Sequence, residues 1–592
     1  MIPVLPQADS APGKRESAIA KARESYRWNY EYVAPLPFVD EVPKADKPDK
    51  KWLLKVAKEL WDITMNSREI MAQSRNHSVS TGIKSARRLH KKTKKGGAKG
   101  VLDHLLEVIE MGAGEITATS LDDYDVLYQT FREPLASRWC HSDFYFAHLR
   151  LGGPNPMMLH GIEKVPEKFE VENFHFQASM GEHDSLERAG AEGRLFMCDY
   201  AGFVDFECGT FPHGRQKYVG APMALFAMPP GDYDHRFLIP VAIQLQQGHS
   251  PVVIPKDGTH AWQIAKSWAN CADGNYHQAI THLAHTHLVI EPFVIAMHRN
   301  MAPNHPLFVL LNPHFNGTLE INDAAQSSLI APEGGVDAVL AGTIEASRAA
   351  AAAGWKEFHF NDRFPRKELA ARQVDDSTRL PEYPYRDDAL LLWDAIHDWV
   401  EAYVKVYYAD DSTVQKDSEL QAWIAEVLSK DGGRMRDVGE DGGVETAGYL
   451  VDMVTMLIFT AGPQHAAVNF PQLELMSFAP FYPLACYAPL PEDKDGLTQQ
   501  HWLNMMPPLD MAQYQMILGN LLGEMRYTTL GDYPESWIPC TGKYFKDERV
   551  VPAIKAFNKR LDEIEHEIDY RNSLRTYYKY LKPSLVPQSI NI

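Results

Sequence analysis

Cysteines are few in this sequence, and they are widely separated. Six cysteines are spread over 592 residues, and no two stand in a CxxC arrangement. This usage is typical of buried free thiols in a reducing compartment. The first thirty residues lack the apolar core of a secretory signal, and no run of eighteen residues is apolar and free of charge. We therefore expect a cytoplasmic protein without a membrane-spanning segment.

A general excess of basic residues is also lacking, since the formal net charge is −19. An acidic protein offers no basic field to displace counterions from nucleic acid, so nucleic acid is excluded as a general partner. The one dense basic run is KSARRLHKKTKKGGAK at residues 84–99. It is either a solvated loop or a patch for peripheral contact with an anionic membrane surface. In the second case each Lys or Arg near the surface contributes about 1 kcal/mol to the free energy of membrane binding.

Histidine, by contrast, is concentrated in an apolar stretch at residues 276–314, which holds seven of them. His277, His282 and His287 recur at every fifth position. In a regular α-helix five positions advance by about 140°, so such residues do not share a face. A π-bulge brings them together and is frequent at functional sites. Imidazole binds iron, zinc, copper and nickel alike, and hydrogen-bonded core histidines are the alternative interpretation.

Two later stretches contain further candidate ligands. In GPQHAAVNFPQ, at residues 462–472, His465 and Asn469 are four positions apart and share one helical face. The sequence ends PQSINI, so that Ile592 carries a free α-carboxylate next to an apolar side chain. A zinc hydrolase is disfavoured, because HExxH is absent and no Glu stands within the histidine repeat.

These residues closely resemble the lipoxygenases, non-haem iron dioxygenases of polyunsaturated fatty acids. The matching motifs are HQAITHLAHTHLVIEPF, HPLFVLLNPHFNGTLEIN, GPQHAAVNFPQ and PQSINI. The resemblance implies one iron ion, held by His282, His287, His465, Asn469 and the carboxylate of Ile592. It also implies that Gln278 and Gln472 hydrogen-bond the Asn ligand, although both could be ordinary amides. The same ligands would serve manganese.

The resemblance further implies an apolar substrate channel. Ala325 matches an Ala-or-Gly position that is associated with S or R oxygenation, and Leu329 matches a leucine that narrows the channel, although both could be plain core residues. A second channel leucine is expected from the helix after Met511, where Leu518, Leu521 and Leu522 are all candidates. The implied reaction is hydrogen abstraction by Fe(III)–OH followed by O₂ addition to a pentadienyl radical, with no acid or base side chain.

The expected fold is mainly α, with a large helical domain built around a long arched helix that carries the histidines. Short apolar runs between residues 195 and 256 predict a small β subdomain. We expect an N-terminal arm and helical extension at 1–130 and a catalytic domain at 131–592, without the PLAT β-sandwich of plant and animal lipoxygenases. The expected products are hydroperoxides of linoleic, linolenic or arachidonic type acids. A hydroperoxide isomerase, a manganese lipoxygenase and a non-catalytic lipid-binding protein are the alternatives.

Overall fold

The computed structural model describes residues 2–73, 116–231, 236–533 and 544–592. Helices make up most of it, so the predicted mainly α class is confirmed. The α-helices are Pro12–Ser25, Lys50–Gln73, Asp143–Gly152, Asn173–Met180, Leu186–Ala191, Thr259–Tyr276, Leu288–Asn300, Pro306–Phe315, Thr318–Ala324, Gly335–Val339, Ile344–Lys356, Pro365–Ala371, Pro384–Tyr407, Asp411–Gln415, Ser418–Leu428, Ala447–Phe459, His465–Asn469, Gln499–Met505, Leu509–Glu524 and Val551–Asn572. The π-helical segments of the described residues are His277–His287, Ala325–Leu329, Thr460–Gln464 and Gln472–Met476.

One continuous helix, Thr259–Asn300, runs through the core and is called the central helix below. It joins an α-helical start, the π-helical segment His277–His287 and an α-helical end. Its 42 residues are long and apolar enough to cross a membrane, but 83% of its most apolar window is buried inside the protein. The central helix is therefore the core helix around which the other elements pack.

The central helix contains Pro292, which removes one main-chain donor. The carbonyl of Leu288, four residues earlier, therefore cannot accept the usual helical hydrogen bond from the backbone N–H of residue 292. The indole Nε1 of Trp355 donates a hydrogen bond to this carbonyl at 3.0 Å. A neighbouring helix thus satisfies the acceptor that the proline leaves open, which allows the helix to continue past it.

Helix Ile344–Lys356 packs closely against the π-helical segment because it contains Gly354. A Cβ atom at Gly354 would lie 2.6 Å from Cγ2 of Ile280. The carbonyl of Gly354 also accepts a hydrogen bond from Nε2 of His285 at 3.1 Å. The absence of a side chain at this position therefore brings the alanine-rich helix against the histidine segment.

The predicted β subdomain is a five-stranded antiparallel sheet of sequential strands. Its strands are β3 His160–Ile162, β4 Leu195–Asp199, β5 Met223–Ala227, β6 Ile239–Gln244 and β7 Val252–Val253. The three central strands are almost fully buried, because helix Asn173–Met180 packs on one face and helix Asp143–Gly152 packs against the other side. This explains why their sequences are continuously apolar and not alternating.

The described N-terminal residues form helices and a two-stranded ribbon of β1 Trp28–Asn29 and β2 Phe38–Val39. No β-sandwich occurs in residues 2–73 or in residues 116–128. The arm is anchored to the body by Arg15, which makes a buried bidentate contact with Glu419 at 2.8 Å. The basic run 84–99 lies outside the described residues, and the boundary between 1–130 and 131–592 stays a prediction.

Five of the six cysteines belong to the described part of the chain, and all five are free thiols. Four of these, Cys140, Cys198, Cys271 and Cys486, are buried. This agrees with the thiol usage that was expected from their spacing, whereas a cytoplasmic location stays a prediction.

Candidate metal centre

Three histidines from two helices converge in the core. Nε2 of His465 is 3.3 Å from Nε2 of His282 and 3.2 Å from Nε2 of His287. One ring nitrogen of each histidine lies within 4.8 Å of the other two. All three side chains are buried. Ring nitrogens that converge in this way fit a shared metal ion, and imidazole suits several transition metals.

The local helix geometry accounts for the convergence. His282 and His287 lie in a π-helical segment of eleven residues, whose wider turn places positions five apart on nearly one face. Their ring centroids are 5.0 Å apart. His465 follows a second π-helical segment, Thr460–Gln464, and begins the helix that faces the first. The π-bulge that the histidine spacing suggested is thus present in the structure.

The remaining histidines of the cluster have other partners. His277 contacts the carbonyl of Val468 through Nε2 at 2.7 Å, which links the two ligand-bearing helices. His305 pairs with the buried Asp417 at 2.9 Å, and His298 stacks on a tyrosine ring. His285 and His314 bond to backbone carbonyls. The structure therefore separates three converging histidines, His465 among them, from the five other histidines of residues 276–314, which serve packing and hydrogen bonding.

Asn469 is held by an amide relay. Its Oδ1 accepts a hydrogen bond from Nε2 of Gln472 at 3.0 Å, and its Nδ2 donates to the carbonyl of Leu522 at 2.7 Å. Nε2 of Gln278 donates to Oε1 of Gln472 at 2.6 Å. Gln278 thus reaches Asn469 through Gln472 and not directly, which corrects the expectation of two direct contacts. The reason is that Gln472 lies three residues from Asn469, whereas Gln278 lies on the central helix.

The last six residues enter the core, and Ile592 is buried at their end. Their backbone carbonyls accept hydrogen bonds from Trp52 at 2.8 Å, from His314 at 3.0 Å and from Thr318 at 3.2 Å. These donors come from the N-terminal extension and from the helices that follow the central helix. The tail is thus held by distant parts of the chain, while the role of its carboxylate as a ligand stays a prediction.

Sequence reasoning missed two side chains that support His287. Nδ1 of His287 lies 2.8 Å from Oδ1 of Asn322, and Nδ2 of Asn322 donates to Oε2 of Glu291 at 2.8 Å. The other oxygen of Glu291 accepts the backbone N–H of Val39 at 2.8 Å. A signal was available, because Glu291 stands four residues after His287 in an apolar helix and therefore on the same side.

Burial sets the protonation of this region. It lowers the pKa of His287 to about 4 and holds the pKa values of His282 and His465 well below their usual range. All three rings are therefore neutral at neutral pH, as metal ligation requires. Because His287 donates its Nδ1 proton to Asn322, its Nε2 lone pair points toward the other histidines. Burial also raises the pKa of Glu291 to about 8, which limits the charge in this apolar core.

A narrow, largely apolar cavity lies against the central helix beside the histidines. It is lined by residues next to His282 and His287 in sequence, namely Leu283 and Leu288, and by Gln278 of the amide relay. The opposite wall comes from helix Ile344–Lys356, which supplies Ile344, Ser347, Arg348 and Ala351. Apolar walls with a few polar groups are typical of a site for a hydrophobic ligand, but the cavity has a volume of only about 20 Å³, so its walls must separate to admit a hydrocarbon chain.

The predicted channel residues occupy positions around this region without lining that cavity. Ala325 is buried and begins a π-helical segment that ends at Leu329. Leu518, Leu521 and Leu522 are buried in helix Leu509–Glu524. Of these three, Leu522 is the one whose main-chain carbonyl accepts the hydrogen bond from Asn469. Their channel roles stay predictions.

Comparisons with known proteins agree with this geometry. The family model described as Lipoxygenase matches residues 129–589. The linoleate 9/13-lipoxygenase of Pseudomonas aeruginosa is 35% identical, over 100% of this chain and 93% of that protein. The human hydroperoxide isomerase ALOXE3 is 33% identical over 77% of this chain, and the match spans 63% of that protein's length.

Solved structures extend the similarity to the fold. A calcium-dependent 11R-lipoxygenase superposes with a TM-score of 0.84 at 26% identity, covering 100% of this chain and 83% of that one. The family match covers most of the sequence and includes both helices that carry the three histidines. The chain belongs to the lipoxygenase family of dioxygenases.

Proposed function

We propose that this protein is an iron-dependent lipoxygenase that inserts O₂ into free polyunsaturated fatty acids of the linoleic, linolenic or arachidonic type and releases their hydroperoxides. The observation that carries the proposal is the convergence of His282, His287 and His465 beside an apolar cavity. The similarity to a linoleate lipoxygenase over the whole chain supports the substrate class.

The donor set suits iron. His282, His287, His465 and Asn469 would supply neutral nitrogen and oxygen donors, and the Ile592 carboxylate would supply one negative charge. When bound, iron supplies a one-electron oxidant together with a base for the hydrogen that leaves the carbon between two double bonds. Few ligand charges leave the ion strongly oxidising. Manganese would fit the same donors, so metal analysis has to accompany the assay.

The chain's own residues prepare the site. Asn322 orients His287 through Nδ1, and Gln472 orients Asn469 through Oδ1. Leu283 and Leu288 shield the approach with apolar surface, which excludes water and lets the hydrocarbon chain pack beside the centre. No acid or base side chain of the described residues is needed for this chemistry.

A hydroperoxide isomerase is the second candidate, because one relative carries that name and is 33% identical. The same ligands serve both reactions. An isomerase would rearrange a supplied fatty-acid hydroperoxide without net uptake of O₂, whereas a lipoxygenase would consume O₂ and produce conjugated dienes. Product analysis with both substrates separates the two.

The decisive experiment uses oxygen uptake, conjugated-diene absorbance and metal content for the intact chain and two tail variants. One variant lacks Ile592, and the other carries one added glycine after it. The added glycine keeps the Ile592 side chain but moves the carboxylate, so it separates loss of the ligand from loss of packing. We expect oxygen uptake with linoleic acid and about one iron per intact chain, and near-complete loss of activity in both variants.

Other results would contradict parts of the proposal. Stoichiometric iron without oxygen uptake on any fatty acid would favour the isomerase. Full activity in the glycine-extended variant would remove the terminal carboxylate from the ligand set. Absence of any bound metal would favour a lipid-binding protein that has lost turnover.

A further inference from the structure

Arg348 is the one basic residue that lines the apolar cavity beside the histidines. It lies on helix Ile344–Lys356, and Nε of its guanidinium donates a hydrogen bond to the carbonyl of Ile330 at 2.8 Å. That contact uses one of five donors. No carboxylate of the described residues lies within 4.0 Å of its nitrogen atoms. The guanidinium is thus held in place by its inner nitrogen, while its charge has no acidic partner in the described part of the chain.

Most other arginines that are at least partly buried in this structure are paired. Arg150 contacts Asp273, Arg194 contacts Asp184, and Arg372 contacts Glu368, all as ion pairs. A buried or half-buried charge is costly unless it is paired. Arg348 is partly buried and shares the lack of an ion pair with Arg236, Arg363, Arg434 and Arg526 among the described residues, but it is the one that lines this cavity, where the charge of a bound ligand could serve as its partner.

Ser347 gives a second, independent indication. It lines the same cavity, it is 95% buried, and its hydroxyl has no hydrogen-bond partner among the described residues. Buried polar groups normally have a partner, and an unsatisfied one needs an explanation. A hydroxyl and a guanidinium on adjacent residues of one helix form a suitable pair of donors for a carboxylate.

The other polar group of the cavity is already engaged. Gln278 donates its amide to Gln472 and so belongs to the metal side of the cavity. The remaining lining side chains are aliphatic, including Leu283, Ile344 and Ala351. The cavity therefore combines an apolar wall for a hydrocarbon chain with a single anion-binding corner.

We propose that Arg348, with Ser347, binds the carboxylate of the free fatty acid, so that the head of the substrate is held at helix Ile344–Lys356 while its chain lies along Leu283 and Leu288. This rests on the proposed function, and it makes Arg348 the residue that selects acids over neutral esters and alcohols and that sets the orientation of the chain. Arginine is suited to this because its planar fork matches a carboxylate in two-point contact.

The test measures binding separately from turnover. Oleic acid has one double bond and no doubly allylic carbon, so it binds to the iron-loaded protein without being oxygenated. Its dissociation constant, and that of oleyl alcohol, are measured by calorimetry for the unmodified chain and for R348M, R348K and S347A. The matched control is K356M, which removes an exposed basic residue at the end of the same helix.

The expected result is selective. We expect R348M to weaken oleate binding by about tenfold to a hundredfold, because it removes a hydrogen-bonded charge pair with the carboxylate. The binding of oleyl alcohol, which has no carboxylate, should stay unchanged. R348K should recover part of the loss, S347A should cost less than R348M, and K356M should bind oleate normally. With linoleic acid, R348M should raise KM by a similar factor and change the ratio of positional products, because the chain is no longer held by its head.

Several results would overturn the proposal. Oleate affinity that is unchanged in R348M would place the carboxylate elsewhere. A protein that binds neither oleate nor oleyl alcohol would show that this cavity takes no fatty acid. Equal weakening of acid and alcohol would show that Arg348 only packs. If oleate binding depends on Arg348 but no fatty acid supports oxygen uptake, the proposed reaction fails while the carboxylate site stands.

Discussion

Nδ1 of His287 and Oδ1 of Asn322 are 2.8 Å apart, and this contact determines which nitrogen of His287 can face a metal. Asn322 is fixed in turn by Glu291, which also accepts the backbone N–H of Val39. The chain of contacts runs from the N-terminal ribbon to the metal centre entirely within the core. Outer partners of this kind hold a ligand ring in one tautomer and one orientation.

Replacing Asn322 by alanine should weaken metal binding. His287 would lose the acceptor for its Nδ1 proton, and loss of such a partner typically costs about tenfold to a hundredfold in metal affinity. The measurement is iron content after dialysis against graded chelator. The control is N520A, because Asn520 bonds only within its own helix to the carbonyl of Met516.

A companion variant tests the cause of that loss. E291Q keeps one oxygen that can accept from Asn322 but replaces the oxygen that accepts from Val39 with an amide nitrogen, so we expect near-normal iron content together with a looser contact to Val39. If E291Q lost as much iron as N322A, the carboxyl group of Glu291 and its contact with Val39 would matter for metal binding as much as the orientation of His287 by Asn322.

The substitution Gln472→Glu should disrupt the amide relay at one bond. The side chain keeps its size and still accepts from Gln278, but it no longer donates to Oδ1 of Asn469. We expect kcat to fall by about tenfold and iron affinity to fall similarly, since the weakest ligand loses its support. Oxygen-uptake kinetics check this, with Q500E as a control at an exposed glutamine. Unchanged kinetics would mean that Asn469 does not act as a ligand.

The buried histidines should make the protein sensitive to acid. Burial lowers the pKa of His298 from its usual 6.5 to about 3. Between pH 6.5 and pH 3 this histidine is protonated in the unfolded chain and neutral in the folded chain. The free energy of unfolding is therefore unaffected above about pH 6.5 and falls as the pH decreases below that value. H298F removes this titration and keeps the stacking on Tyr26.

The size of that effect follows from linkage. Each such histidine contributes up to about 1.4 kcal/mol per pH unit, so between pH 7.5 and 5 H298F should lose about 2 kcal/mol less stability than the unmodified chain. Urea unfolding at several pH values measures this, with H566F at an exposed helix position as the control. If the free energy of unfolding fell with decreasing pH by the same amount in H298F and in the unmodified chain, the prediction would be wrong.

Adding a methyl group at Gly354 should disturb the histidine segment. The new Cβ would lie 2.6 Å from Ile280, so G354A forces the alanine-rich helix away from the central helix. Overpacking of this kind costs about 1–3 kcal/mol. Thermal unfolding and iron content should both decrease. G448A is the matched control, because a Cβ at that helical glycine meets no atom within 4 Å. An equally large loss of stability and iron in G448A would show that the close contact with Ile280 is not the cause.

The sequence by itself determined the family, the mainly α class and the candidate ligands. The candidate residues His282, His287, His465 and Asn469 were readable from local spacing, every fifth position for the first pair and every fourth for the second, whereas the family and the full ligand set came from the resemblance of the motifs. The continuously apolar strands and the long apolar helix were readable for the same reason. Local geometry links spacing to a shared face without any knowledge of the neighbours.

The tertiary structure alone decided which groups support the ligands. Asn322 reaches His287 across 35 positions of the sequence, Trp355 reaches Leu288 across 67, and Gln278 reaches Gln472 across 194. Such pairings depend on how helices pack, and periodicity carries no information about the partner. Arg348 shows the same limit, because in sequence it is one arginine in an alanine-rich helix. Its meaning depends on the cavity that it lines and on the absence of an acidic partner in the described residues, and both are properties of packing.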